Sequence, residues 1–249
     1  METTPAYCTD AQAKKLLVEV GKMVYEHRYV LTTDGNLSIR VAENEAWVTP
    51  TSVSKGYMSE EMMVKVALDG TILQGSRKPS SEVKMHLRLY RENPAIGAVV
   101  HAHPFAATAF AIAGIPLDLP IMAESAMQLG VVPVVHYSTP GSTDVADGVA
   151  PYCKEYGGLL LSNHGALTWG GDIMQAFYRL QVMENYANTT LALLQLGQAR
   201  LLSAGQIEEL RGLKTVWNIH DGVLPEGAKR QTNGTDVLQS GPSLFKNPQ

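Results

Sequence analysis

The sequence predicts a single α/β domain of layered type, with a mixed rather than strictly parallel sheet. Three observations carry this. Segments of helical apolar spacing interleave with short strand-like runs along most of the chain. Two pairs of those runs, 37–41 with 46–49 and 63–68 with 71–73, read as hairpins and so as antiparallel neighbours. The 249 residues, 45% hydrophobic and 18% charged, suffice for one compact core.

The elements follow in order. Residues 10–29 read as a helix capped by Asp10, with Leu16, Leu17, Val20 and Val24 at helical spacing. Asp34-Gly35 signals a turn, Leu37 to Val41 alternates as a strand does, and Ala46 to Thr49 reads as its partner. Met63 to Leu68 turns at Asp69-Gly70 into Thr71-Ile72-Leu73. Pro79-Ser80-Ser81-Glu82 opens a helix to about Glu92, and Ile96 to Val100 is an apolar strand leading into His101. An alanine-rich helix spans 105–113, and Val131 to Tyr137 is β-branched and strand-like. Asp144 to Tyr156 reads as helix, and Leu159 to His164 as an apolar strand ending in a histidine. A long helix covers 173–196, and Ser203 caps a short one to about Leu213. From Pro225 the composition turns to Gly, Ser, Asn, Gln, Thr and Pro, so residues 1–224 read as the domain and 225–249 as a polar, mobile tail.

Composition narrows the function classes. Net charge is −4, and only 7% of residues are aromatic, so there is no basic or stacking footprint for nucleic acid. A local basic pocket for a phosphate stays open. No apolar run approaches the ~18 residues of a membrane span, and the first residues carry no secretory apolar stretch. Cys8 and Cys153 form neither a metal motif nor a disulfide framework and read as reduced thiols in a cytoplasmic protein.

His101 and His103 carry the chemistry. At i and i+2 on a strand they project to one face, as two corners of a metal polyhedron do. His164, before Gly165 at another strand end, is a third corner. Three imidazoles that leave coordination positions open are the catalytic metal pattern; the alternative is three structural histidines. His27, His86, His136 and His220 read as structural. Glu82, in the first turn of its helix, is either an acid/base group or a capping carboxylate. Gly35-Asn36, Thr49-Pro50-Thr51-Ser52 with Lys55-Gly56, and Ser80-Ser81 are candidate phosphate cradles, or ordinary turns.

Taken together, Gly35-Asn36-Leu37-Ser38, Thr49-Pro50-Thr51-Ser52, Pro79-Ser80-Ser81-Glu82, His101-Ala102-His103 and Asn163-His164-Gly165 resemble the class II aldolase family, in order and separation, over about residues 10–215. The group includes L-fuculose-phosphate aldolase, rhamnulose-phosphate aldolase and ribulose-5-phosphate 4-epimerase. The resemblance implies a three-layer α/β/α domain with a central, largely antiparallel sheet flanked by helices, in a homotetramer with interfacial active sites. It implies that His101, His103 and His164 hold Zn²⁺ (or Co²⁺ or Mn²⁺) and that Glu82 acts as acid/base. Asn36, Thr51, Ser52, Ser80 and Ser81 would surround the phosphate of a small phosphorylated sugar. The implied reaction cleaves a ketose 1-phosphate to dihydroxyacetone phosphate and an aldehyde through an enediolate. The segment where fuculose-phosphate aldolase carries a catalytic tyrosine aligns near Leu119 to Glu124, which has none. Glu124 either handles a proton there or is a plain surface carboxylate. Within the family, the epimerase typically has aspartate at the position of Glu82, and the sugar-acid phosphate decarboxylases usually have lysine at that of Ser81. A non-enzymatic oligomeric module, as in adducin heads, would lack the three histidines.

Overall fold

The computed structural model of the chain describes residues 7–217, 219 and 221–227. Its eight strands join one sheet in the order β4-β3-β2-β1-β5-β8-β7-β6. The strands are β1 (Asn36–Ala42), β2 (Glu45–Val48), β3 (Val64–Ala67), β4 (Ile72–Gln74), β5 (Ala98–Ala102), β6 (Val134–Val135), β7 (Gly158–Leu161) and β8 (Gly165–Gly170). All neighbours are antiparallel except β6 and β7. The mixed, largely antiparallel sheet is therefore the predicted one.

Helices cover both faces. On one side α1 (Asp10–Glu26), α3 (Phe105–Ala113) and α6 (Ile173–Leu196) bury Leu17, Phe110 and Leu180 against Leu37, Ile39, Val100 and Ala102. On the other, α2 (Val83–Glu92) and α5 (Thr143–Val149) pack Leu89 and Val145 against Val48, Val99, Leu159 and Trp169. Two short helices, α4 (Ala123–Gln128) and α7 (Ala204–Val216), share a small cluster around Ala126 and Ile207.

Strand β1 shows how the alternation is used. Leu37 and Ile39 face the first core, while Ser38 and Arg40 face α2 and are also buried. Ser38 Oγ lies 2.8 Å from His86 Nδ1 and 2.7 Å from Tyr90 Oη. Arg40 donates to the carbonyls of Tyr90 and Pro94, tying β1 to both ends of the α2 exit. The polar side of the strand is thus sealed under α2 and its groups are paired within the protein, as buried polar groups must be.

Several element readings need correction. The α1 N-cap is Thr9, not Asp10, because Thr9 and Gln12 make a reciprocal capping box. The helix stops at Glu26 rather than at residue 29: Arg28 is left-handed (φ 58°) and the Tyr29 N–H bonds Val24 O in a Schellman closure. The β-branched run 131–137 yields the two-residue strand β6 and, before Pro133, which has no N–H for a ladder, an isolated bridge from Val132 to Leu117. The 144–156 helix ends at Val149 and tightens into a 3₁₀ turn at Ala150–Tyr152 around Pro151. Strand β8 and helix α4 were not foreseen. The predicted tail lies outside the described residues from 228 onward, as does His220.

Candidate metal centre and active site

The site forms where β1, β5 and the β7–β8 turn end together. Asn36 on β1 pairs directly with His101 on β5. This close pairing needs Gly35: at φ +70°, a Cβ there would stand 2.8 Å from His101 O. His103 follows β5 and is fastened by its backbone N–H to Tyr29 O at 2.8 Å, so the closure of α1 sets its place. On the far side, Glu184 of α6 accepts from the N–H groups of Ala106 and Ala107 at 3.0 and 2.8 Å. That carboxylate caps α3 and holds the helix that begins just after His103.

His164 is not at the end of a strand as expected but in the turn between β7 and β8. Asn163 takes the left-handed conformation (φ 55°) that turns the chain, and Gly165 follows. A Cβ on Gly165 would lie 2.4 Å from His103 Cδ2, so only glycine lets the two histidine segments approach.

The three ring Nε2 atoms converge. His101 Nε2 lies 3.1 Å from His103 Nε2 and 3.2 Å from His164 Nε2. Around a tetrahedral ion with Zn–N of about 2.0–2.1 Å, neighbouring nitrogens are about 3.3 Å apart. His101 Nδ1 lies 2.9 Å from Ala166 O, which calls for Nδ1–H and leaves Nε2 as a lone pair. Burial first, then the His103 and His164 rings, hold His101 well below the ordinary imidazole pKa. His164 is also lowered, by burial and by His103, against the pull of Glu82. Neutral imidazoles aimed at one point are the donor set a divalent cation requires.

Glu82 closes the fourth side. Its Oε1 lies 3.2 Å from His164 Nε2 and its Oε2 lies 3.4 Å from His101 Nε2. Asn36 Nδ2 donates to Oε2 at 2.8 Å. Glu82 occupies the N-cap position of α2 rather than its first turn, and its carboxylate makes no cap hydrogen bond. The capping alternative therefore gives way to one in which the carboxylate faces the histidines. Asn36 Oδ1 and Glu82 Oε1 are buried without a hydrogen-bond donor among the described residues. Such orphaned acceptors suit a cation or a polar ligand.

The phosphate candidates lie next to this centre. Pro50 bridges Pro79, Thr51 N–H bonds Lys78 O, and Ser80 N–H bonds Thr49 O. Thr51 and Ser52 thus stand beside Ser80 and Ser81, and Ser80 Oγ accepts the Glu82 N–H at 3.3 Å. Thr51, Ser52 and Ser81 are exposed, while Ser80 is buried. Glu124 sits exposed in the first turn of α4 and makes no ion pair or side-chain hydrogen bond among the described residues.

Two neighbours take roles that the sequence reading did not give them. Asp34, read only as a turn former, faces His103 Nδ1 at 3.2 Å. Burial raises its carboxyl pKa, but the N–H groups of Thr32, Asp34 and Leu31 outweigh this and the net pKa is lowered. Lys55, grouped in the sequence with the Thr49–Ser52 phosphate candidate, is buried and donates to Thr33 O at 3.1 Å and Val53 O at 2.7 Å. Burial pulls its ammonium down to about 8, against the attraction of Asp34 and Glu82.

His86 is the structural histidine it was expected to be. Burial, and then the neighbouring His101 ring, pull its imidazole down to about 3, whereas an unfolded histidine titrates near 6.5. Between these values the unfolded chain binds the extra proton. The stability that neutral His86 supports is therefore full above about pH 6.5 and is lost as pH falls toward 3, at up to about 1.4 kcal/mol per pH unit. Urea unfolding at pH 6.5 and 4.5 should show a smaller loss for His86→Gln than for the wild type. Equal losses would mean that His86 is not held neutral.

A histidine triad that could hold a metal ion, facing a carboxylate at one end of a mixed sheet, makes an enzyme-type site. Residues 15–191 match the family described as class II aldolase and adducin N-terminal domain, and the chain belongs to that family. An L-fuculose phosphate aldolase of Methanococcus maripaludis is 34% identical over 68% of this chain and 91% of its own length. A 3-oxo-tetronate 4-phosphate decarboxylase of Haemophilus influenzae is 32% identical over 81% of this chain and 97% of its own. Among solved structures, an L-fuculose 1-phosphate aldolase superposes with a TM-score of 0.78 at 27% identity, covering 86% of this chain and 99% of that one. No helix among the described residues is long and apolar enough to cross a membrane.

Proposed function

We propose that this chain is a lyase, a metal-dependent aldolase that cleaves a ketose 1-phosphate to dihydroxyacetone phosphate and an aldehyde. The substrate is of the L-fuculose 1-phosphate or 5-deoxypentulose 1-phosphate type. The observation that carries this reading is the convergence of His101, His103 and His164 Nε2 beside the Glu82 carboxylate. The three imidazoles would hold Zn²⁺, with Co²⁺ or Mn²⁺ as substitutes that the same donors accept. When bound, such an ion supplies Lewis acidity at the substrate carbonyl.

The chain's own groups do the rest. Asn36, Thr51, Ser52, Ser80 and Ser81 bind and orient the phosphate through hydroxyl and amide donors. The C4 hydroxyl loses its proton, the C3–C4 bond breaks, and its electron pair forms the enediolate of dihydroxyacetone phosphate. Glu82 delivers a proton to C3, and its bond from Asn36 Nδ2 holds the carboxylate in line. Glu124 is assigned the hydroxyl proton. Residues 1–224 form the catalytic domain and 225–249 a tail. The enzyme works as a cytoplasmic homotetramer with interfacial sites.

The decarboxylase among the relatives supports a second reading. A 3-oxo-tetronate 4-phosphate carries its carboxylate next to the carbon adjoining the ketone. Loss of CO₂ leaves the same enediolate, and Glu82 protonates the same carbon. The two reactions differ only in what departs, an aldehyde or CO₂. The test is a panel of ketose 1-phosphates and 3-oxo-tetronate 4-phosphate, with and without chelator, reading dihydroxyacetone phosphate and CO₂ together. Chelator-sensitive triose phosphate without CO₂ is expected. Release only with equimolar CO₂ would transfer the assignment to the decarboxylase, and no release from folded, zinc-loaded protein would overturn both readings.

A further inference from the structure

Each metal-facing imidazole has a second nitrogen, and what that nitrogen meets decides which tautomer the ring adopts. For His101 the partner is the backbone carbonyl of Ala166. For His103 it is a side chain: Nδ1 lies 3.2 Å from Asp34 Oδ2. Asp34 is not free to turn. Its Oδ1 accepts the Thr32 N–H at 2.9 Å and the Leu31 N–H at 3.1 Å, and Oδ2, with only a longer 3.4 Å contact from Leu31 N–H, faces the ring. Buried Lys55 pins the neighbouring peptide through Thr33 O, and Tyr29 O holds the His103 backbone from the other direction.

We propose that Asp34 is a positioning residue that fixes His103 as the Nδ1–H tautomer, so that its Nε2 lone pair faces the metal position. The inference rests on the metal reading of the triad. A carboxylate is acceptor-only, so a contact at Nδ1 demands a proton there and removes it from Nε2. Without that partner the ring also samples the Nε2–H form, which cannot ligate.

Two substitutions separate this role from simple turn formation. Asp34→Asn keeps an oxygen for the Thr32 and Leu31 N–H groups and so keeps the turn. It places an NH₂ group against His103 Nδ1, which forces the non-ligating tautomer. Asp34→Ala loses the turn bonds but leaves the ring free to choose. The measurement is Zn²⁺ affinity by competition with a chromophoric chelator, paired with thermal unfolding of the metal-free protein. Asp34→Asn should bind zinc about 10–100-fold more weakly than the wild type while melting near the wild-type temperature. Asp34→Ala should melt earlier but lose less affinity than Asp34→Asn. Wild-type affinity in Asp34→Asn, or a larger affinity loss in Asp34→Ala, would overturn the proposal and leave Asp34 a turn residue. A wild type that takes up no zinc would instead overturn the metal reading itself.

Discussion

Replacing His103 with alanine is expected to abolish both zinc retention and cleavage. The ring supplies one of three nitrogens that meet within 3.1–3.2 Å contacts at His101 Nε2. Removing it leaves two imidazole donors where the fold brings three together around one point. Loss of a mere supporting hydrogen bond around a metal typically costs 10–100-fold in affinity. Loss of a ligand should cost more, on the order of 10³-fold or beyond. His103 is only half-buried, so the substitution does not gut the core, and the metal-free protein should remain folded. Metal content after dialysis and chelator-sensitive turnover check this together. A folded His103→Ala protein with one bound ion and wild-type turnover would remove His103 from the site.

Glu82→Gln should separate metal binding from proton transfer. Glutamine matches glutamate in shape, and its side-chain oxygen can still accept from Asn36 Nδ2, so the α2 N-terminus should not move. The three imidazoles are untouched and metal content should stay at the wild-type level. What is lost is a titratable group beside the carbon that gains a proton. Removing a positioned acid or base typically costs 10²–10⁴-fold. The expected result is a kcat lower by about that factor with KM little changed. Unchanged kcat would move the proton-handling role to Glu124, the next carboxylate to replace.

The parts of the fold legible in the sequence were those with local punctuation. Helix α6 runs from Ile173 to Leu196 as read, because Asp172 caps it and Gly197 closes it in the left-handed conformation. The two hairpins were legible from alternation and a turn dipeptide. Strand β8 was not: Gly165–Gly170 has a glycine at each end, is buried on both faces and shows no period. Its Thr168 hydroxyl bonds Ala176 O inside the protein, a use that no local pattern signals. Helix α4 was missed because six residues carry too little periodicity.

The site divides along the same line. The spacing of His101 and His103 carried geometric meaning, since i and i+2 share a face of a strand. The place of Glu82 beside them depends on β1 bringing Asn36 to the N-terminus of α2, a contact across 46 residues. Asp34 was hidden because Asp-Gly is also the commonplace vocabulary of a turn, and it does form one, mainly through Oδ1, while Oδ2 meets His103. Lys55 entered the sequence reading only beside a candidate phosphate cradle, whereas here its ammonium is enclosed by two carbonyls. Both are residues whose turn chemistry is local and whose site chemistry is not.

The enediolate is the step on which the aldolase and decarboxylase readings both depend, and it can be observed without knowing the aldehyde. Zinc-loaded protein incubated with dihydroxyacetone phosphate in D₂O should exchange one hydrogen of the hydroxymethyl carbon for deuterium. The exchange should stop on chelation and return with added zinc. Absence of exchange in the folded, zinc-loaded protein, or exchange that persists undiminished after the metal is removed, would contradict a metal-dependent enediolate at this site.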